Sequence, residues 1–290
     1  MKQAAVIGAG TMGNGIAHVF AQHGASVTLI DVSQSALERA RATIQANLDR
    51  QAKKGTITSD APGKILGRIQ TSTSLDAAAP AQIVVEAATE SPTLKFSVFE
   101  SLDRICPPDT ILASNTSSIS ITEIASRTKR PDKVIGMHFM NPVPVMQLVE
   151  VIRGQATSDA TTTTVLEMTK ELGKTPVEVQ DYPGFVANRI LMPMINEAIY
   201  TVMEGVATPE AVDTVMKLGM AHPIGPLALA DFIGLDVCLA ILEVMHKGLG
   251  DPKYRACPLL RRMVAAGYLG RKSGRGFYSY GGSADGRMGG

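Results

Sequence analysis

Two ionisable residues on either side of a chain reversal are the first candidates for chemistry. His138 lies near the end of the apolar run 134–139, and Glu150 lies within the apolar run 148–152. Each stands six positions from Pro144, so a reversal around residues 141–144 would set them face to face. Imidazole carries protons at neutral pH, and a carboxylate beside it fixes the tautomer and stabilises the imidazolium. The pair therefore reads as a general acid–base couple, with Glu150 orienting His138. Alone, such a His is more often a hydrogen-bonded structural residue and such a Glu a solvated one. The shared spacing is what argues for chemistry.

A second signal is the run Gly8, Ala9, Gly10, Thr11, Met12 and Gly13, which follows the apolar run 4–7 directly. The first glycine permits a tight turn and the second lets backbone approach a pyrophosphate. The third lets a following helix pack closely on the strand, with its first N–H groups turned toward phosphate. Asp31 ends the next apolar run, 23 residues after Gly8, where an acid accepts hydrogen bonds from a ribose hydroxyl. Loop and acid together predict a dinucleotide site. Asp31 favours NAD over NADP, because a 2′-phosphate would meet its carboxylate, while Ser33 leaves room for some NADP use.

The elements that must position these residues alternate. Runs 4–7, 27–30, 83–86, 110–113 and 134–139 read as strands, and 11–22, 33–54, 93–105 and 121–128 as helices. Alternation of this kind predicts an α/β, Rossmann-type, mostly parallel sheet with a helical insertion. A helix over 158–172 with Ser158 as its N-cap and an edge strand over 175–179 follow. The texture changes at Pro183 and Gly184. Beyond them, helical stretches at 185–204, 209–218, 226–247 and 258–266 predict an all-helical C-terminal domain. The expected division is 1–183, 184–280 and a glycine-rich flexible tail at 281–290.

Composition excludes several classes. Of 290 residues, 45% are hydrophobic and 19% charged, which suits a chain with a buried core. The formal net charge of +1 argues against nucleic acid or anionic membrane held by bulk charge. Three scattered Cys and five His without metal-ligand spacing predict no metal site and a reducing compartment. Ser114 and Ser117 lack a nucleophile elbow. No run is long enough for a membrane helix, and no apolar leader precedes the first strand, so a cytoplasmic protein is expected.

Further segments carry a family resemblance. These are 86–90, 114–119, 136–144, 183–189, 222–226 and 270–277. With the glycine loop they make the chain resemble the 3-hydroxyacyl-CoA dehydrogenases over about residues 1–280, and within them the bacterial single-function 3-hydroxybutyryl-CoA dehydrogenases. The resemblance implies a helical domain that dimerises and reversible NAD-linked oxidation of an (S)-3-hydroxyacyl-CoA. It implies catalytic roles for His138 and Glu150, with Ser117 and Asn188 at the substrate C3 oxygen. Glu90, Lys95, Ser117 and Asn141 fall at cofactor positions, and Lys272 reaches the cofactor from the C-terminal segment. As bare residues, Glu90 and Lys95 read as surface charges, Ser117 as a cap or turn hydroxyl, and Asn141 as a turn residue. Asn141 is also implied beside the substrate.

Asn47, Arg50 and Lys54 recur at steps of three and four in the stretch 33–54, which places them on one helix face. Such a face is usually just solvated; the resemblance implies CoA contacts there. Met140 and Gln147 depart from the family pattern and bear on acyl-chain preference. Two alternatives stay open: a related sugar-acid (gulonate-type) 3-dehydrogenase, and a non-catalytic NAD-binding structural protein. The length is not expected to accommodate a hydratase domain as well.

Overall fold

A computed structural model describes residues 2–88 and 90–280. The expected tail at 281–290 lies outside the described residues. The chain divides between Tyr182 and Pro183 into two compact units.

The first unit is an eight-stranded sheet with helices. Its strands are β1 (Gln3–Ile7), β2 (Ser26–Ile30), β3 (Ile69–Ser72), β4 (Ile83–Glu86), β5 (Ile111–Ser114), β6 (Val134–Phe139), β7 (Leu148–Arg153) and β8 (Thr175–Gln180). They lie in the order β3-β2-β1-β4-β5-β6-β7-β8. Every neighbouring pair is parallel except β6 and β7. The helices are α1 (Thr11–Gln22), α2 (Gln34–Lys53), α3 (Ala61–Leu66), α4 (Pro92–Ile105), α5 (Ile121–Ala125) and α6 (Asp159–Glu171). Central strands β4, β5 and β6 are buried along their whole length, as strands covered on both faces must be. Phe20, Leu29, Ile44 and Leu48 are among the buried residues of the core beneath α1 and α2.

Local chemistry sets the helix starts. Ser33 accepts from the Ala36 N–H at the head of α2, and Ser158 accepts from the Thr161 N–H at the head of α6. The long helix α2 and short α3 form the insertion between β2 and β3. Strand β8 is an edge strand carrying Pro176, whose position opposes Val149 on β7.

Two elements escape the sequence reading. Strand β3 buries only its first residue, Ile69, and shows no apolar run. Helix α3 has six residues, too few for a period to emerge.

The second unit contains α7 (Ala187–Met203), α8 (Pro209–Gly219), α9 (Pro226–Ile233), α10 (Leu235–Leu249) and α11 (Pro258–Ala265). The stretch 226–247, expected as one helix, is two. Gly234 adopts φ +106°, which ends α9 and opens α10. Met192, Ile195, Ile199, Leu227, Leu242 and Leu260 are among its buried core residues. Among the described residues, no helix is long and apolar enough to cross a membrane.

Two buried aspartates hold this unit's last segment. Asp231 accepts from the Phe277 and Tyr278 N–H groups and from the Tyr280 hydroxyl, each at 3.0 Å. Asp213 accepts from the Leu227 and Ala228 N–H groups and from the Tyr278 hydroxyl. Burial, and then the hydrogen bond to Asp213, push the Tyr278 phenol above its ordinary range. A Cβ at Gly276 would stand 2.0 Å from Asp231 Oδ1, so this approach requires glycine.

Asp231→Ala strands two partly buried N–H groups, each worth up to about 1–3 kcal/mol when left unsatisfied. We expect a loss of roughly 2–5 kcal/mol, read as a lower denaturant midpoint. An unchanged midpoint would count against the clamp.

Candidate active site

The reversal between β6 and β7 pairs His138 with Glu150 in register. The pair is buried, with His138 Nδ1 2.8 Å from Glu150 Oε2. A carboxylate acceptor at Nδ1 places the proton there and leaves proton exchange to Nε2.

The surroundings fix this geometry. A Cβ at Gly136 would stand 2.8 Å from Ile152, so the two strands close tightly beside the pair. Asn115 Oδ1 accepts from the Phe139 N–H at 2.9 Å, which ties the end of β5 to the residue after His138. The connecting segment 140–147 is held from below by Lys174. Its buried ammonium donates to the carbonyls of Val143 and Met146, both at 2.7 Å. Burial lowers the Lys174 ammonium below its ordinary pKa. Val143 also packs against α1, where a Cβ at Gly15 would meet it at 2.8 Å. Asn141 is exposed at the start of this segment, joined to Pro142 by a cis peptide bond.

The glycine loop is built by close approach. Gly8 has φ +96°, and a Cβ there would lie 2.7 Å from the Ala87 carbonyl oxygen. A Cβ at Gly13 would lie 1.7 Å from the Gly8 carbonyl oxygen. At Gly10 a Cβ would meet nothing within 4 Å, and this residue opens α1 with no side-chain cap. The cradle thus presents backbone to an anion, with Thr11 exposed and Met12 half-buried at its edge. Asp31 borders it, accepting from the Ala9 N–H at 2.7 Å and the Ser33 N–H at 2.9 Å. These residues fit a dinucleotide: glycine backbone for a pyrophosphate and a carboxylate for a ribose.

At the ends of β4 and β5 the structure corrects one reading. Lys95 is not a surface charge. It is 2% exposed, and its ammonium is 2.5 Å from Glu86 Oε2. Glu86, wholly buried, also accepts from the Ser114 hydroxyl at 2.8 Å and the Ala88 N–H at 2.8 Å. Glu90 is exposed, but it accepts from the Thr116 hydroxyl, the Ser117 N–H and the Ser117 hydroxyl. Glu86, Ser114 and Lys174 escaped the sequence search. An acid closing the all-apolar strand 83–86 was the available signal for Glu86; nothing in the sequence marked Lys174.

The remaining candidates lie apart from one another along the chain. Arg50 donates to Asn47 Oδ1 at 2.6 Å on α2, and Lys54 is the exposed residue that ends that helix. In the second unit, Asn188 is buried in the first turn of α7. Lys272 donates to Asp236 at 2.7 Å, an engagement internal to that unit.

Comparison with known proteins identifies the family of both parts of the chain. The family model described as 3-hydroxyacyl-CoA dehydrogenase, NAD binding domain, matches residues 3–182. The model described as the C-terminal domain of the same dehydrogenases matches residues 184–280. The chain is 60% identical over 280 residues to the probable 3-hydroxybutyryl-CoA dehydrogenase of Bacillus subtilis (strain 168), spanning 97% of this chain and 98% of that one. It is 54% identical over 283 residues to the 3-hydroxybutyryl-CoA dehydrogenase of Bradyrhizobium diazoefficiens, spanning 98% and 97%. The crystal structure of (S)-3-hydroxybutyryl-CoA dehydrogenase from Ralstonia eutropha superposes with a TM-score of 0.94 at 53% identity, covering 97% of this chain and all of that one. With both parts matched in order and relatives spanning nearly its whole length, this chain belongs to the 3-hydroxyacyl-CoA dehydrogenase family, with NAD as its cofactor.

Proposed function

We propose that the chain interconverts (S)-3-hydroxybutyryl-CoA and acetoacetyl-CoA, and acts on short-chain (S)-3-hydroxyacyl-CoA generally. The observation that carries this reading is the buried His138–Glu150 pair on adjoining strands of a dinucleotide-binding sheet. NAD, when bound, supplies the acceptor for the hydride from C3, and its reduced form the donor in the reverse direction. Gly8, Gly10, Thr11, Met12 and Gly13 would hold its pyrophosphate, and Asp31 a ribose. Glu90, Lys95, Ser117 and Asn141 would line its other half, with Lys272 as a further contact. Ser33 spends its hydroxyl on capping α2, which favours NAD over NADP.

His138 takes the proton from the substrate hydroxyl in oxidation and returns it in reduction. Glu150 holds the proton on Nδ1 and stabilises the imidazolium that forms at each turnover. Ser117 and Asn188 donate to the C3 oxygen as charge develops there. Asn47, Arg50 and Lys54 receive the CoA phosphates, a task for local positive charge that the net charge of +1 does not oppose. Met140 and Gln147 shape the acyl end. The helical unit carries exposed apolar side chains at Val215, Leu218, Val237 and Val244, which support a homodimer formed through it. A cytoplasmic setting fits the three free thiols.

Purified protein given NADH and acetoacetyl-CoA should consume the nicotinamide absorbance, and free acetoacetate should serve far less well. No consumption would refute the assignment. His138→Gln should lower turnover by about 10²–10⁴-fold with an unchanged circular dichroism spectrum. Near-normal turnover would remove His138 from the reaction. Arg50→Gln combined with Lys54→Gln should raise KM for acetoacetyl-CoA about tenfold and leave kcat nearly unchanged. An unaltered KM would place CoA elsewhere. Sedimentation should give twice the chain mass; a monomer would exclude the dimer.

A further inference from the structure

Acid–base chemistry at His138 leaves one charged cluster unexplained. Glu86, Lys95 and Glu90 bring two carboxylates and one ammonium together where β4 ends and α4 begins. Lys95 Nζ stands 2.5 Å from Glu86 and 3.9 Å from Glu90. Glu86 and Lys95 are buried, and burying such a pair is costly unless its remaining hydrogen bonds are met. On the Glu86 side they are met, by the Ser114 hydroxyl and the Ala88 N–H. A merely structural filler would not need a second carboxylate. Glu90 supplies one, fixed by three donors from Thr116 and Ser117.

The sheet order locates the cluster relative to the cofactor. Strand order reverses direction between β1 and β4, and a dinucleotide lies across such a reversal at the strand ends. Asp31 on the β2 side takes one ribose, and the glycine loop after β1 takes the pyrophosphate. The other half therefore extends over the β4 side. Ala87 and Ala88 border the glycine turn directly, since the Ala87 carbonyl oxygen and the Ala88 nitrogen occupy the space of a Gly8 Cβ. Glu90 then leads on to Ser117.

We propose that Glu86, Lys95 and Glu90 act as a net −1 charge that favours the cationic, oxidised nicotinamide over the neutral, reduced one. The inference rests on the dehydrogenase reading above. The cation is what remains after ketone reduction, in which C3 gains a hydride from the reduced cofactor and its oxygen gains a proton from His138. The cluster thus shifts the bound equilibrium toward the hydroxyacyl-CoA and leaves the equilibrium in free solution untouched. Glu86 acts at a distance, by fixing the Lys95 ammonium and half-cancelling the two carboxylates' counter-charge; it is a positioning residue.

The test is binding without acyl-CoA. NAD and NADH are titrated separately into the protein, by calorimetry and by nicotinamide fluorescence, and the ratio Kd(NAD)/Kd(NADH) is compared across variants. Glu86→Gln and Glu90→Gln each remove a negative charge and should raise the ratio roughly 3- to 30-fold. Lys95→Met removes the positive charge and should lower it by a similar factor. Loss of shape weakens both forms alike and cancels in the ratio, so opposite signs are the signature. Ratios that stay put, or that move the same way in all three variants, overturn the proposal. Glu90 is exposed, so Glu90→Gln decides the matter by itself even if the variants of the buried Glu86–Lys95 pair fail to fold. Wild-type protein that binds neither form would overturn the dehydrogenase reading as well. Normal binding with unshifted ratios would overturn only the charge argument.

Discussion

The antiparallel pairing of β6 with β7 is the constraint on which the site depends. Side chains alternate faces along a strand, so a slip of one residue would carry Glu150 to the opposite face from His138. Several contacts hold the register. Gly136 lets Ile152 close in, Asn115 takes the Phe139 N–H, and Lys174 fastens the carbonyls of the connecting segment. Each works on backbone or packing. The rest of the sheet is parallel, which is why β7 stands out as the strand that turns back to deliver a carboxylate.

The same economy governs charge. A chain of net charge +1 is fitted for two polyphosphate ligands because recognition is local. Backbone at the head of α1 would face one, and in the proposed reading Arg50 on α2 and Lys54 at its C-terminal end supply cations for the other. At the β4 and β5 ends the arrangement is inverted. A buried ammonium is overmatched by two carboxylates, so adjacent parts of one ligand would meet fields of opposite sign.

Much of this was legible in the sequence, for identifiable reasons. The central strands are continuous apolar runs, and the glycines of the loop are forced by contacts of under 3 Å at Gly8 and Gly13. The apposition of His138 and Glu150 followed from counting to a turn. What stayed hidden lacked a local signal. Strand β3 is held by its pairing to β2, since its own residues are mostly polar. Lys95 looks like any helix-surface lysine until the fold sets it against Glu86, whose carboxylate also takes the Ser114 hydroxyl from the neighbouring strand. Gly234 could have been read as a helix stop, yet the apolar residues on both sides continued the period. Lys174 is a lysine after a glycine, and only the fold shows the two carbonyls that it meets.

Strand β8 has a consequence beyond the site. A sheet that ends in an open strand offers unpaired backbone to any other chain that passes. On β8 the outer margin includes Pro176, which has no N–H to offer, and the charged Glu178, engaged by Arg153. At the other margin β3 is only four residues long. Both borders of the sheet are thus poor templates for strand addition. The sheet should therefore resist edge-to-edge joining with other copies of the chain when the protein is concentrated.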